Sequence, residues 1–464
     1  MSNKVRNLVT IFFKLIGIDK AILLTSSSSI ISITGSLFSA FLVLKKLTTV
    51  EQGFYYTFSS LVAIQIFFEL GFNNIITQFT AHEVANLNIK SDGKIEGDNE
   101  KKSRLSYLLQ FSVKLYLFLS FLLCVTLIIV GLYFFAKNNL TSTNIVWKSP
   151  WILLAISVTI NFIISPLFAF IQGLGMVAKV AKIRLLQQIL VMTTTWALFI
   201  FNFKLYILGI ANLVGVSFLI ISFYKEKIHL IFINLYSIVI TSKISYFEEI
   251  FPYQWKIAIS WISGYFIFQL FNPILFATSG PVVAGQMGMT LAALNGIQSI
   301  SASWMSTKIP KFSNLIAQKK YEELDIIFSK ALYQSISITI FFILTFIAIL
   351  LGLDKFNIKI SDKKISDRFI SYLPLIFMCA SLVLNQIVGA WGTYLRSHKK
   401  EPYLYTSLFG AIFVSLSTYF LGSKFGLIGL TIGYFTVTIV FLPITYYIYI
   451  KCKQIWHINN SSPT

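Results

Sequence analysis

Charge is scarce in this chain. Asp, Glu, Lys and Arg make up 12% of its 464 residues, about half the roughly 25% typical of a soluble domain. Histidine is rarer: His82, His229, His398 and His457 are the only four, and all fall in loops or at the ends of apolar runs. No HExxH, no P-loop and no GxGxxG after a strand is present, which removes the common metalloprotease, nucleotide and dinucleotide signatures. Cys124, Cys379 and Cys452 lie far apart, two of them inside apolar runs, so they suggest neither a disulfide framework nor a metal site. A membrane acyltransferase or glycan polymerase would need His or carboxylates at a membrane-facing site, or a large external loop. The longest external loop expected, Leu353 to Arg368, is short and basic. No cofactor, metal or catalytic residue is expected. No cleavable signal peptide is expected: Lys4, Arg6, Lys14 and Lys20 break Met1–Lys20 into short apolar stretches that read as an interfacial helix.

What the chain has is apolar length. It is 56% hydrophobic with a mean hydropathy of +0.75. Crossing the ~30 Å hydrocarbon layer takes about 20 helical residues, because unpaired amides are not tolerated in lipid. Runs of that kind predict spans near 21–44, 54–80, 105–135, 150–172, 185–203, 205–224, 257–278, 285–305, 329–352, 369–391, 403–422 and 425–450. The expected fold is all-α integral membrane, about twelve transmembrane helices in two six-helix bundles around a central cavity. The most polar connection, His82 to Arg104, contains Ser91-Asp92-Gly93-Lys94. The longest, Lys225 to Lys256, is amphipathic and divides the chain into 1–240 and 241–464.

With the N-terminus inside, cytoplasmic segments hold more than twice as many Lys and Arg as external ones, the bias expected of a chain with both termini cytoplasmic. That bias accounts for the net charge of +20, so the basic pI is no evidence of a nucleic-acid partner. The halves also repeat weakly. At an offset of 233 residues Val50 matches Val283, Thr57 matches Thr290, Leu61 matches Leu294, Ile64-Gln65 matches Ile297-Gln298, and Phe79 matches Phe312. Six helices return the chain to its starting side, so the repeat is parallel, about an axis along the membrane normal.

Polar groups inside a membrane are costly and mark function or packing. The first span carries Thr25, Ser28, Ser29, Ser32, Gly35, Ser36 and Ser39 on one side. The second carries Gln65, Glu69, Asn73 and Thr77 four apart. The seventh offers Trp261, Tyr265, Gln269 and Asn272, and the eighth Asn295, Gln298, Ser299 and Ala302. Helix packing explains the serines of the first span as well as a cavity does; amides as numerous as those of the other three favour a wet cavity. Glu69 is the one acid deep within a span and Lys114 the one comparable base. At 1.5 Å per residue they sit ~16 and ~13 Å from the inner ends of consecutive helices, so an ion pair is expected, with a proton- or cation-responsive switch as the functional alternative. Near the cytoplasmic mouth Arg184, Lys308 and Arg396 adjoin span ends. Arg could receive a diphosphate through a bidentate fork and Lys as a point charge, although positive-inside topology also explains them.

At Leu47 to Phe72 the chain reads LTTVEQGFYYTFSSLVAIQIFFELGF. This resembles the first-to-second helix junction of Wzx-like polysaccharide flippases, a branch of the multidrug/oligosaccharidyl-lipid/polysaccharide exporter superfamily. The matching residues are Glu51-x-Gly53-x-Tyr55, then Glu69-Leu70-Gly71-Phe72, with a later Gln172-Gly173-x-Gly175. The resemblance implies two six-helix bundles, cavity walls from helices one, two, seven and eight, and transfer of undecaprenyl-diphosphate-linked oligosaccharide between leaflets of a bacterial inner membrane for O-antigen or other lipopolysaccharide and capsule-type synthesis. It also implies a bilayer partner, a coupling ion (proton or sodium), and association with polysaccharide polymerase and chain-length machinery. In drug-exporting relatives an acidic residue of the first helix often binds the coupling cation. The first span here has none, which counts against a drug antiporter. Lipid II flippases usually have more helices and more cavity arginines, and they fit less well.

Single-cysteine labelling tests the topology. Positions Asn139 and Asp362 should react from outside, and Asp98 and Lys320 only after permeabilisation; external labelling at position 98 would overturn the helix count or the orientation.

Overall fold

Backbone amides that cannot reach water must pair within their own segment, and nearly the whole of the computed structural model is helix. It describes residues 31, 34–36, 38–84, 87–89, 95–138, 145–226, 228–360, 363–398 and 400–458. Most of the first expected span therefore lies outside the described residues, with Thr25, Ser28, Ser29 and Ser32; its end is helix α1, 38–46. Then follow α2 Thr49–Val62, α3 Phe72–Val84, α4 Asn99–Asn138, α5 Lys148–Gly173, α6 Val177–Ile200, α7 Tyr206–Lys225 and α8 Ile228–Tyr236. After the linker come α9 Phe251–Phe268, α10 Phe271–Ser279, α11 Pro281–Ser306, α12 Ile309–Ala317, α13 Tyr321–Lys355 and α14 Tyr372–Ser397. The helical run Leu404–Ile458 ends the described chain. Two short antiparallel hairpins, Leu87–Ile89 with Ile95–Gly97 and Lys359–Ile360 with Lys363–Lys364, occupy connecting loops.

Among the described residues, eight helices are long and apolar enough to cross a membrane, or nine if the broken pair Thr49–Glu69 and Phe72–Val84 counts as one span. One of the eight is the 55-residue run Leu404–Ile458, which at 1.5 Å per residue would measure ~80 Å, more than twice a bilayer core. Gly426 interrupts it with φ 60° and ψ −139°, giving α15 before the glycine and α16 after it. Two other expected spans are broken as well. The second stops at Leu70 and Gly71, with φ of 47° and 70°, after a 3₁₀ turn Ala63–Gln65 and a single turn Ile66–Glu69. The seventh stops at Gln269 and Leu270, between α9 and α10.

The helices form two compact units. Of the described residues, unit one holds those within 31–35, 67–132 and 146–255, and unit two those within 36–66, 133–138 and 256–458. Segments 38–66 and 133–138, which precede the linker, thus pack with the second half of the chain.

In unit one, α5, α6 and α7 pack around Phe168, Ile171, Ile183, Val216 and Leu219, and α3 lies against α5. Trp151 of α5 is fully buried and donates its indole N–H to the Leu127 carbonyl of α4 at 3.0 Å. A Cβ at Gly131 would stand 2.1 Å from that ring. The Gln172-Gly173-x-Gly175 motif has a backbone reason. A Cβ at Gly173 would lie 2.6 Å from the Thr77 carbonyl oxygen, and Gly175 turns the chain at φ 86°. Below this core, Arg104 bridges Glu83 at 3.0 Å and Glu249 at 2.6 Å, tying the ends of α3 and α4 to the linker. Burial would raise the Glu249 carboxyl, but hydrogen bonds from Arg104 and the Ser245 N–H outweigh it and hold it below the usual carboxylate range.

Unit two is organised by α2 lying along α11. Thr48 and Glu51 form a reciprocal capping box at the start of α2, which satisfies two otherwise orphaned amides. The next residues make the closest backbone approach. A Cβ at Gly53 would stand 1.9 Å from the Pro281 carbonyl oxygen, one at Gly285 2.8 Å from the Gly53 nitrogen, and one at Gly288 2.3 Å from Tyr56. Small residues that let helices meet backbone to backbone are the usual adhesive in lipid, where apolar side chains gain little from one another. Gln52, 1% exposed, donates to the carbonyls of Gly285 at 2.8 Å and Arg368 at 3.1 Å, and accepts from the Arg368 guanidinium at 3.2 Å. Gln52 meets Gly285 and Tyr56 meets Met289, in both cases 233 residues on. The repeat offset is therefore also the contact register, as parallel helices flanking a twofold axis require.

Replacing Gly53 by Val should drive a side chain into the Pro281 carbonyl, at a cost of about 3 kcal/mol, and lower the detergent-solubilised melting temperature by several degrees. Gly352→Ala, whose added Cβ would meet nothing within 4 Å, should melt with the parent. Equal melting of the two variants would show that the α2–α11 contact is dispensable.

Candidate functional site

Each unit gathers polar side chains at a broken helix. In unit one the break at Leu70–Gly71 leaves Glu69 at the end of one helical turn and Asn73 at the start of α3. The Asn73 amide donates to the Glu69 carboxylate at 2.8 Å and lies 3.2 Å from the Ser165 hydroxyl of α5, and its carbonyl accepts from Tyr116 of α4 at 3.1 Å. Thr77, one turn on, donates to the Asn73 and Ala169 carbonyls. Arg184 of α6 lies within electrostatic reach of Glu69. It donates to Gln187 at 3.1 Å and covers the Phe168 ring at 4.8 Å, a stacked guanidinium geometry.

Lys114, the partner expected for Glu69, is elsewhere. It is exposed and makes no ion pair among the described residues. Residues two apart on a helix point about 200° away from each other, and Tyr116 faces Asn73, so Lys114 faces outward. Its neighbours on that side, Leu117, Phe118 and Phe121, are 50%, 61% and 66% exposed. Depth along a helix axis identified the right level but carried no information on direction. The base within electrostatic reach of Glu69 is instead Arg184, a residue also expected at a diphosphate.

Unit two holds a cavity of about 220 Å³ beside the break at Gln269–Leu270. Four expected residues line it: Gln269, Asn272, Asn295 and Gln298. Asn272 donates to Ser60 at 3.1 Å while its buried carbonyl oxygen has no partner among the described residues. The amides of Gln269, Asn295 and Gln298 make no side-chain hydrogen bond there either. A second hollow of about 340 Å³ adjoins across Gln298, Asn385 and Tyr434 and adds the hydroxyls of Ser260, Ser263, Thr406 and Ser407. Among the described residues, no Asp, Glu, Lys or Arg lines either. Together they fall within the roughly 300–1,000 Å³ of ligand pockets.

Other expected residues stand apart from this wall. Gln65 is half-buried in its 3₁₀ turn, Trp261 is half-buried and Tyr265 buried, and none of the three lines a hollow of unit two. Arg396 is bound to Glu401 at 3.0 Å; Lys308 borders a different crevice. Sequence reasoning passed over Asn385, which donates to the Tyr434 hydroxyl at 2.8 Å. An amide deep in the 369–391 span was its signal, one that attention to helices one, two, seven and eight left unused.

Broken helices, many apolar spans and uncharged polar hollows define a multi-pass α-helical membrane protein built around cavities. No protein-family model matches the sequence, and no curated protein matches it. Solved structures do share the fold. The lipid II flippase MurJ in its inward closed conformation superposes with a TM-score of 0.58 at 14% identity, over 94% of this chain and 91% of that one. A variant of the Vibrio cholerae MATE transporter VcmN gives 0.56 at 12% identity, over 95% and 98%. The eukaryotic MATE transporter AtDTX14 gives 0.53 at 15% identity, over 95% and 100%. The chain has the fold of MurJ and the MATE transporters.

The electrostatics of unit one can be tested directly. Removing one member of a partly buried charge pair costs about 3 kcal/mol, and removing both costs less. Glu69→Gln and Arg184→Met should each lower folded yield and melting temperature, with the double variant recovering much of the loss, while Lys114→Met behaves as the parent. A Lys114→Met defect rescued by Glu69→Gln would reinstate the pair expected from depth.

Proposed function

We propose that this chain is a flippase that moves a lipid-linked oligosaccharide across a bacterial cytoplasmic membrane, its twelve helices forming two six-helix bundles with both termini cytoplasmic. The observation that carries the reading is the uncharged wall of unit two. Gln269, Asn272, Asn295, Gln298 and Asn385 present amides with both donor and acceptor atoms, which is what sugar hydroxyls require. The unpaired carbonyl oxygen of Asn272 is an acceptor that a hydroxyl would satisfy, and unpaired buried groups of this kind discriminate strongly between ligands that can and cannot pair with them. The sugar diphosphate travels through the polar interior while the polyprenyl chain stays in lipid. Alternating access follows if substrate binds the two states with different affinity. Undecaprenyl diphosphate is the carrier the Wzx-like resemblance suggests, and MurJ, a lipid II flippase by name, supports a lipid-linked cargo.

A cation-coupled small-molecule antiporter of the same fold is the second reading, favoured by the MATE likeness and by Glu69. Against it, the first span supplies no acid, and the Glu69 carboxylate is already hydrogen-bonded by Asn73. A polymerase or acyltransferase is the remaining alternative.

Liposomes separate the three. A purified flippase should carry an unaltered lipid-linked oligosaccharide to the opposite face; a new covalent product would mean an enzyme, and pH- or sodium-driven dye exchange without glycolipid movement would mean an antiporter. Asn295→Ala with Gln298→Ala should slow glycolipid transfer about tenfold or more, two lost hydrogen bonds at about 1 kcal/mol each, at unchanged melting temperature. Unchanged transfer would remove the amide wall from the substrate path.

A further inference from the structure

The cytoplasmic end of unit two carries a feature that its cavities do not use. Lys308 precedes α12, and α13 begins beyond the next turn. Between them lies a crevice of about 450 Å³ whose walls include Lys308, Lys311, Lys330, Gln334 and Ile326. A second hollow of about 260 Å³ shares Lys308 and Gln334 and adds Trp304.

Three ammonium groups around one concavity repel each other, so a counter-charge is expected. Lys311 pairs with Glu323 at 3.6 Å, both half-exposed, a contact of small worth in water. Lys308 and Lys330 are exposed and have no carboxylate in ion-pair range among the described residues. Positive-inside topology explains lysines at this level but not their convergence. Lys319 and Lys320, in the adjacent turn, satisfy topology equally and enter neither hollow.

The surroundings say what kind of anion fits. Along α13, Ile326, Lys330, Tyr333, Phe341 and Leu344 fall on one face at helical spacing. The apolar members are 68%, 75%, 63% and 61% exposed, the surface expected where lipid chains lie against a span. Trp304, 38% exposed, provides an aromatic anchor of the kind found at headgroup depth. A soluble phosphate would gain nothing from that stripe, whereas a lipid meets crevice and stripe together.

We propose that the Lys308–Lys311–Lys330 crevice binds the phosphate-bearing headgroup of a membrane lipid in the cytoplasmic leaflet, with its hydrocarbon chain along the Tyr333–Phe341–Leu344 face. The site lies outside the amide-lined hollows and stands whatever they carry. A lipid phosphate has two sources, bulk anionic phospholipid and a polyprenyl diphosphate, and the same chemistry recognises both.

Native mass spectrometry of the full chain in detergent tests this, with phosphatidylglycerol, a polyprenyl diphosphate and dioleoylglycerol as separate titrants. Lys308→Gln with Lys330→Gln should weaken binding of a phosphate lipid about tenfold or more, at about 1 kcal/mol per lysine. Lys308→Arg with Lys330→Arg should retain it, and Lys319→Gln with Lys320→Gln should leave it unchanged. Weakening of both phosphate lipids assigns a common headgroup site; weakening of one alone identifies the source. Binding untouched by the Gln pair, or dioleoylglycerol bound as tightly as the phosphate lipids, overturns the proposal. If the Gln pair fails to fold, a salt series on the parent decides: binding of the phosphate lipids must fall as ionic strength rises while that of dioleoylglycerol does not, and salt-independent binding overturns it.

Discussion

The close approach of α2 and α11 is the constraint on which the rest of unit two depends. Three glycines remove the side chains that would hold the helices apart, and the buried Gln52 then closes the seam by bonding to the Gly285 and Arg368 carbonyls. In lipid neither step can be replaced by hydrophobic contact, because the bilayer is as apolar as the side chains. With the helices in register, Tyr56, Ser59 and Ser60 come to one side of the hollow opposite Asn295 and Gln298. The cavity wall is therefore a by-product of the seam.

Helix breaks play the complementary part. A continuous span satisfies its own amides and has nothing left to offer. At Leu70–Gly71 and Gln269–Leu270 the ladder is interrupted, and at both places polar side chains collect: Glu69, Asn73 and Ser165 in one unit, Gln269 and Asn272 in the other. The first group meets its carboxylate with the Asn73 amide and a net of hydrogen bonds. The second leaves the Asn272 carbonyl oxygen without a partner among the described residues.

How much of this was legible in the sequence depended on the kind of information each feature needs. Helix extents follow from apolar run length, and those expected at 150–172, 205–224, 285–305 and 369–391 match α5, α7, α11 and α14 within a few residues, apart from the last turns of α14. The glutamine and asparagine stripe of the seventh and eighth spans reached the cavity because residues three apart on a helix share a face. The Glu69–Lys114 pairing failed because it used height without azimuth, and one hundred degrees per residue separates Lys114 from the inward Tyr116. For Arg184 a sequence shows that a base adjoins a span end, not which way it leans; the fold sets it over Phe168 and within electrostatic reach of Glu69. The breaks were harder to place: Leu70 and Gln269 are ordinary residues within apolar runs, and the hints were Gly71 and Pro273, which has no N–H to offer the Gln269 carbonyl.

The seam has one more consequence. Gln52 touching Gly285 and Tyr56 touching Met289 are contacts between a residue and its own counterpart in the repeat, which is how two identical subunits meet across a cyclic dimer axis. A half-length ancestor could have formed this contact between separate copies, and gene fusion would have made it intramolecular. Once fused, the two sides were free to diverge, and they have: one carries the Gln52 amide where the other carries a bare glycine backbone.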